Sequence, residues 1–256
     1  MPVQHGSMRD DDIKQGFQMD AAGIDRYAED QHRPNAANNI IKGEDTSYFT
    51  DYTVEACRAL VTEARINPAR IIDFGSGTGH SIPAFNRVFP GAEPVCSDTS
   101  QRSLDLASAR FPGRHHSLRI IGKQIPAAND SFDLAVSTCV FHHIPTTGHE
   151  PWPHKLSRVT RPGGLLQIFE QNPLNPLPRH AVNTCPFNAN ARLIRAGQLA
   201  RECRAAGWDR ARVLYHTFFS RFLAALRRFE RALTWAPFGA QYSVTARKPA
   251  MPVVTP

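Results

Sequence analysis

The chain has 256 residues, 41% hydrophobic and 21% charged, with a formal net charge of +7. That is enough apolar material for a sizeable core and too little charge for a disordered chain. The length suits one large α/β domain with a cap or insertion, or at most two small domains. The five cysteines are odd in number and lack C-x-x-C spacing, so a disulfide framework and a zinc site are not expected, and the thiols read as reduced and mostly buried, as in a cytoplasmic protein.

The opening MPVQHGSMRDDD is polar, without the apolar core of a signal peptide, and no run approaches the roughly 18 apolar residues of a membrane span. Residues 1–66 are expected to form an N-terminal cap. It should be helical in part, with a loop through Asn35, Asn38, Asn39 and Gly43 and a sheet-packing helix over Val54 to Ala64.

Residues 67–256 are expected to form the main domain of one compact unit. A short buried strand over Arg70–Phe74 leads into Gly75-Ser76-Gly77-Thr78-Gly79. A helix over about Ser81–Phe89, a strand over Pro94–Asp98, a helix over Ser103–Arg110, and strands over Leu118–Ile121 and Phe132–Ser137 follow. The spacing then predicts a helix over Pro153–Thr160, a sharp turn at Arg161–Gly164 and a strand over Leu165–Glu170. This alternation predicts a mostly parallel sheet covered on both faces by helices.

After Glu170 the pattern breaks. The prolines of Gln171–Pro178 argue against regular structure there, because proline lacks the backbone donor and fixes φ. A helix over Arg192–Gly207, a strand over Arg212–Thr217, an amphipathic helix over Arg221–Trp235 and a final strand over Tyr242–Arg247 complete the reading. Residues 171–235 are expected to be an insertion on the substrate side.

Charge is uneven. Residues 190–248 hold twelve bases and three acids, whereas residues 1–65 hold twelve acids and seven bases. A basic half can favour nucleic acid, acidic lipid or a phosphorylated substrate; the plainer reading is a solvated Arg-rich surface, and no arginine-rich run or RNA-binding signature accompanies it. The 221–235 stripe of Phe222, Leu226, Phe229 and Leu233 reads as an exposed amphipathic helix, or else as part of a site for an anionic or lipid-like acceptor.

The strongest chemical signal is the glycine-rich loop. Glycines let backbone approach a ligand and adopt positive φ, the helix behind them presents free N–H groups, and ligands of such sheets lie at the carboxyl ends of the strands. The spacing is G-x-G-x-G with Asp73 two residues ahead of it, not the G-x-G-x-x-G of dinucleotide sites. A tight turn without a ligand is the alternative. Asp98 closes the next strand, 19 residues after Gly79, where a carboxylate can accept both ribose hydroxyls of an adenosine or else cap the helix that follows.

Three further segments stand in order: Ile125-Pro126-Ala127-Ala128-Asn129-Asp130-Ser131-Phe132-Asp133, Val140-Phe141-His142-His143-Ile144 and Arg158-Val159-Thr160-Arg161-Pro162-Gly163-Gly164-Leu165-Leu166. With the loop and Asp98 they resemble the motifs of class I (Rossmann-like) S-adenosylmethionine-dependent methyltransferases, over about residues 70–170. The flanks Gly43–Phe49, Glu170–Pro176 and Pro237–Tyr242 resemble a bacterial subgroup of small-molecule methyltransferases, loosely tied to glycan or secondary metabolism.

The resemblance implies a seven-stranded, mostly parallel sheet with an antiparallel last strand. It implies S-adenosyl-L-methionine as cofactor, with S-adenosyl-L-homocysteine as product. Asp73, Phe74, Gly75, Ser76, Gly77, Gly79, Asp98 and Thr99 would bind the cofactor, with Tyr48 closing over the sulfonium. The adenine-contacting aspartate usual in the family is missing; Gly122-Lys123-Gln124 stands there, so adenine contacts would be made by backbone groups of 122–125. Candidates to remove or position a proton are His142, His143 and Glu170, with Asn172 beside them and His180 and His216 as weaker choices. No metal is expected. A small-molecule acceptor is expected between the N-terminal segment and 171–235, both rich in aromatics: Tyr27, Tyr48, Phe49, Phe187, Phe218 and Phe219. An RNA or protein acceptor, or a non-catalytic adenosylmethionine binder, are the alternatives. The Asn/Asp-Pro-Pro-Tyr motif of many amino-directed nucleic-acid enzymes is absent after strand four, so no nucleic-acid partner is expected.

Overall fold

The computed structural model describes residues 46–184, 191–219 and 221–250. The first part of the predicted cap, Tyr27 and Phe187 lie outside them. The elements run α1 (Thr46–Glu63), β1 (Arg70–Phe74), α2 (Ile82–Val88), β2 (Glu93–Asp98), α3 (Gln101–Arg110), β3 (His116–Arg119), β4 (Phe132–Thr138), α4 (Pro151–Val159), β5 (Thr160–Gln171), α5 (Pro176–Thr184), α6 (Ala196–Ala205), β6 (Asp209–His216), α7 (Glu230–Leu233) and β7 (Gln241–Arg247).

The strands form one seven-stranded sheet in the order β3-β2-β1-β4-β5-β7-β6. All neighbours are parallel except β5 with β7 and β7 with β6. The predicted α/β architecture with an antiparallel last strand therefore stands. β1 and β4 are near-continuous apolar runs because both faces are covered. On one face α1 buries Val54, Cys57, Leu60 and Val61 against Ile71, Leu134 and Leu165. Each such apolar side chain contributes up to about 1.5–3 kcal/mol, which outweighs the weak intrinsic propensity of a helix rich in Thr and Val. On the other face Trp152 and Leu156 of α4 and Leu199 and Cys203 of α6 pack over Phe74, Ala135 and Ile168.

Strand order reverses between β1 and β4, which opens a crevice at their carboxyl ends. The loops after β1, β4 and β5 and the long β6–β7 connection all lie on that edge.

Four expectations are corrected. Pro176 and Pro178 do not prevent regular structure; they sit in the first turn of α5, where helix N–H groups have no intrahelical partner in any case. Asn175 opens that helix by accepting from the Leu177 N–H at 3.0 Å. Residues 161–164 are not a free turn but belong to β5. Four of its residues oppose Asp133 of β4, and Gly163 at φ +79° absorbs the irregularity. α6 begins at Ala196 rather than Arg192, because the Arg192 N–H is drawn to the His142 carbonyl at 2.8 Å. The 221–235 segment is a kinked 3₁₀ helix, Arg221–Phe229, followed by the single turn of α7. Leu226 and Phe229 are exposed, so these two positions gain little burial that would favour a regular α-helix.

Candidate active site

The loop after β1 turns on Gly75, Gly77 and Gly79, with φ of +73°, +54° and +77°. The carbonyl of Ser97 on β2 accepts from the N–H groups of both Gly75 and Ser76, at 2.7 and 3.0 Å. A Cβ at Gly75 would come within 2.4 Å of a Val140 methyl, and one at Gly79 within 2.7 Å of the Ala107 Cβ, whereas one at Gly77 would meet nothing within 4 Å. Two glycines thus let the loop settle against its neighbours, and the third leaves open space beside the backbone.

Asp98 is buried at the end of β2. Its Oδ2 accepts from the Gly77 N–H and its Oδ1 from the Ser100 N–H, both at 2.9 Å. It does not cap α3; Ser100 does, accepting from Ser103 N–H at 3.0 Å. Asp73 is fully buried and accepts from the Ser81 hydroxyl at the start of α2. Burial pushes its carboxyl up to about 6, against the lowering effect of that hydrogen bond. Phe74 turns its ring into the core beside Trp152 at 5.0 Å, so only its backbone belongs to the loop. Thr99 is exposed next to Asp98. Ile121 and Gln124 pair backbone to backbone around Gly122 at φ +57°, a tight turn in the place of the missing aspartate.

The loop after β4 is built around Glu170, whose side chain is fully buried at the end of β5. Oε1 accepts from the backbone N–H of Val140 at 3.0 Å and of Phe141 at 2.7 Å; Oε2 faces His142 Nδ1 at 2.6 Å. With Nδ1 donating to the carboxylate, the neutral form of the His142 ring has its lone pair on Nε2. The His143 ring lies 4.1 Å from that of His142. Desolvation first, and the neighbouring His142 second, lower the His143 pKa to about 3. Asn172 is committed to structure: its amide donates to the carbonyls of Pro237 at 3.0 Å and Gly239 at 2.8 Å, clasping the β6–β7 connection. Tyr48 stacks under the guanidinium of Arg227 at 4.5 Å. His180 is exposed on α5.

Two groupings on this edge escaped the sequence reading. Tyr52 of α1 meets His216 Nδ1 at 3.1 Å, and His216 Nε2 meets the Ser243 hydroxyl at 2.7 Å. Burial lowers the His216 pKa to about 4 and raises that of the Tyr52 phenol. Beside them, Gln171 and Gln241 are paired across β5 and β7, and their amides stand 3.7 and 3.9 Å from the Cys139 thiol. A period-2 face of β7 carrying Gln241 and Ser243 was the available signal; the cross-strand partners were not readable without the register.

The motif residues Asp133 and Arg158 prove structural. Asp133 receives the N–H groups of Ala69 and Arg70 and pairs with Arg161 at 2.6 Å. Arg158 pins the carbonyls of Ile125 and Ala127 at 2.6 and 2.8 Å.

Residues 71–164 match the family model described as a methyltransferase domain. Over that stretch, rather more than a third of the chain, the sequence is similar to methyltransferase domains. Among curated relatives, an uncharacterized methyltransferase of Mycobacterium sp. (strain KMS) is 30% identical over 133 residues, covering 51% of this chain and 50% of the relative. The chain thus spans about half the length of the curated relatives it matches. Among solved structures, a Thermotoga maritima SAM-dependent methyltransferase, described as a possible histamine N-methyltransferase, aligns with a TM-score of 0.59 at 16% identity, over 89% of this chain and 98% of that one. A Haemonchus contortus phosphoethanolamine N-methyltransferase, in complex with phosphomonomethylethanolamine and S-adenosylhomocysteine, aligns with a TM-score of 0.52 at 17% identity, over 71% and 49% of the chains. At these identities the structural likenesses establish the fold.

Proposed function

We propose that the chain transfers a methyl group from S-adenosylmethionine to a small-molecule acceptor, with His142 as the base where the acceptor must lose a proton. The single observation behind this is the contact of two loops. Val140 packs on Gly75 of the glycine-rich loop, while its backbone and the adjacent His142 are both held by Glu170.

The glycine-rich loop fits the cofactor's methionine part, with open space at Gly77, and Asp98 fits the ribose. Ser76, Thr99 and Tyr48 would complete the cofactor's surroundings. Bound S-adenosylmethionine supplies a methyl on a cationic sulfur, already activated for in-line displacement. What the protein adds is alignment, exclusion of water and a place for the proton. Glu170 fixes the tautomer and angle of His142, leaving Nε2 to accept that proton. His143, a very weak base in its largely desolvated setting, serves as a neutral wall beside it. An acceptor enclosed between α1 and the β6–β7 connection would meet Tyr48, Phe49, Phe218 and Phe219. Such a lining suits a small, partly apolar molecule, one of glycan- or secondary-metabolite-related chemistry included.

The test is release of S-adenosylhomocysteine in the presence of a dialysable low-mass extract, compared with purified RNA and protein fractions. Turnover with the low-mass fraction is expected, and it should persist in EDTA. Turnover only with RNA or protein would overturn the acceptor class. His142→Ala should slow turnover about 10²–10⁴-fold at unchanged cofactor affinity. Near-wild-type turnover would remove His142 from the chemistry.

A further inference from the structure

The apolar surface of this molecule is concentrated on one edge. Among the described residues, every exposed large hydrophobic side chain except Ile121 lies on two connections. Leu174 and Leu177 follow β5; Leu223, Leu226, Phe229, Trp235 and Phe238 lie between β6 and β7. Trp235 and Phe238 are 76% and 74% exposed. The two connections are one ledge, because the Asn172 and Asn175 amides donate to the carbonyls of Pro237, Phe238 and Gly239. β5 and β6 end, and β7 begins, on the edge that carries the glycine-rich loop, so this ledge rims the site.

The ledge is also positively charged. Arg179, Arg228 and Arg231 are exposed on it. Glu230, an acid within the β6–β7 connection, is buried and spends its Oε1 on the N–H groups of Phe218 and Phe219, at 3.0 and 3.1 Å. What faces outward is leucine and aromatic side chains interleaved with arginine.

We propose that this ledge seats the protein on an anionic lipid bilayer. Apolar side chains would sink to the acyl boundary, the aromatic rings would lie at headgroup level and the arginines would pair with lipid phosphates. No described helix is long and apolar enough to cross a membrane, so the contact is interfacial. A second copy of this chain fits less well, because a two-fold contact would set Arg228 and Arg231 against the same ledge of the partner. Nucleic acid fits less well too, since four of the exposed residues are leucines, which offer bases no stacking plane. The proposal concerns where this edge sits and does not depend on the acceptor or on methyl transfer.

The full chain is mixed, without cofactor, with vesicles of phosphatidylcholine alone or of phosphatidylcholine with phosphatidylglycerol. Binding is followed by co-sedimentation and tryptophan emission. Trp152 and Trp208 are already buried, so a blue shift reports Trp235. Binding to the anionic vesicles with a blue shift is expected. Trp235→Ser with Phe238→Ser should weaken partitioning at least roughly tenfold, and Arg228→Ser with Arg231→Ser roughly 10–30-fold. All four side chains are exposed, so the thermal midpoint should stay unchanged, which separates lost binding from lost folding. Absence of binding to anionic vesicles at low salt overturns the proposal. So does binding indifferent to both pairs of substitutions, or a concentration-dependent dimer, or RNA complex, that forms instead of vesicle binding.

Discussion

Glu170 and His142 meet in the interior with 2.6 Å between Oε2 and Nδ1, and their side chains are 0% and 4% exposed. The other Glu170 oxygen takes the backbone N–H groups of Val140 and Phe141. One carboxylate therefore sets the path of the chain after β4 as well as the orientation of the histidine.

Removing that carboxylate strands two backbone donors and a ring nitrogen where water does not reach. Glu170→Ala is expected to lower the free energy of unfolding by about 3–5 kcal/mol, the range for breaking a buried charge-assisted set. Glu170→Gln keeps an acceptor for the backbone donors and should cost less, about 1–3 kcal/mol. Urea unfolding of the three proteins checks the ranking; equal stability of Glu170→Ala and the parent would show that these hydrogen bonds carry no net weight.

The contact between Gly75 and Val140 makes a second, separable prediction. Gly75→Ala imposes a Cβ overlap with Val140 and an unfavourable φ of +73°. Overpacking of this kind costs about 1–3 kcal/mol, with roughly another 1 kcal/mol for an alanine in the left-handed region. Val140→Ala in the same chain should recover the overlap part and leave the backbone part. A double-mutant cycle that is strictly additive would mean the two loops do not press on each other.

How far the sequence carried this reading depended on which forces were local. The run Ile71–Phe74, the glycines after it and Asp98 were legible because a buried parallel strand and a positive-φ turn leave strong local signatures. The N-terminus of α5 is not legible from its prolines, because a proline breaks a helix interior but fits a first turn, and its place there depends on the Asn175 side chain ahead of it. The kink in 221–235 was not legible, since its amphipathic pattern is the same whether the stripe meets a core or solvent. His142 and Glu170 were identified as site candidates, but their pairing required the β4–β5 register. Tyr52, His216 and Ser243 meet only through the packing of α1 over β6 and β7, a relation between segments more than 160 residues apart, as the separation of 164 between Tyr52 and His216 records.

Asp98 already accepts from Gly77 and Ser100 N–H groups, yet a carboxylate has about four lone-pair sites and can accept ligand hydroxyls as well. Asp98→Ala is expected to lose about 1.5–3 kcal/mol of S-adenosylmethionine affinity, a roughly 10–150-fold rise in Kd. Calorimetry with the purified chain measures it directly, and an unchanged Kd would take Asp98 out of the cofactor site.

Acid sensitivity follows from two histidines that are wholly or largely shielded from water, His216 and His143. His143 and His216 have folded pKa values lowered to about 3 and about 4, against an unfolded value of 6.5 for each. Between about pH 4 and 6.5 the unfolded chain binds protons that the folded chain refuses, so stability rises with pH in that window and falls as acid is added. Two such groups give a slope approaching about 2.7 kcal/mol per pH unit once both are fully protonated in the unfolded chain. Asp73 works the other way: its carboxyl is raised from 3.8 to about 6, so between those values the folded chain holds the extra proton and stability falls as pH rises. With two groups against one, the net expectation is a loss of stability below about pH 6, shallower than the histidines alone would produce. Denaturant midpoints from pH 7 down to 4 measure the slope. His216→Gln, which keeps an amide donor and acceptor for Tyr52 and Ser243, should flatten it by close to one proton's worth, about 1.4 kcal/mol per pH unit. A profile that is flat in the parent, or identical in parent and variant, would mean that His216 is solvated and charged in the folded protein.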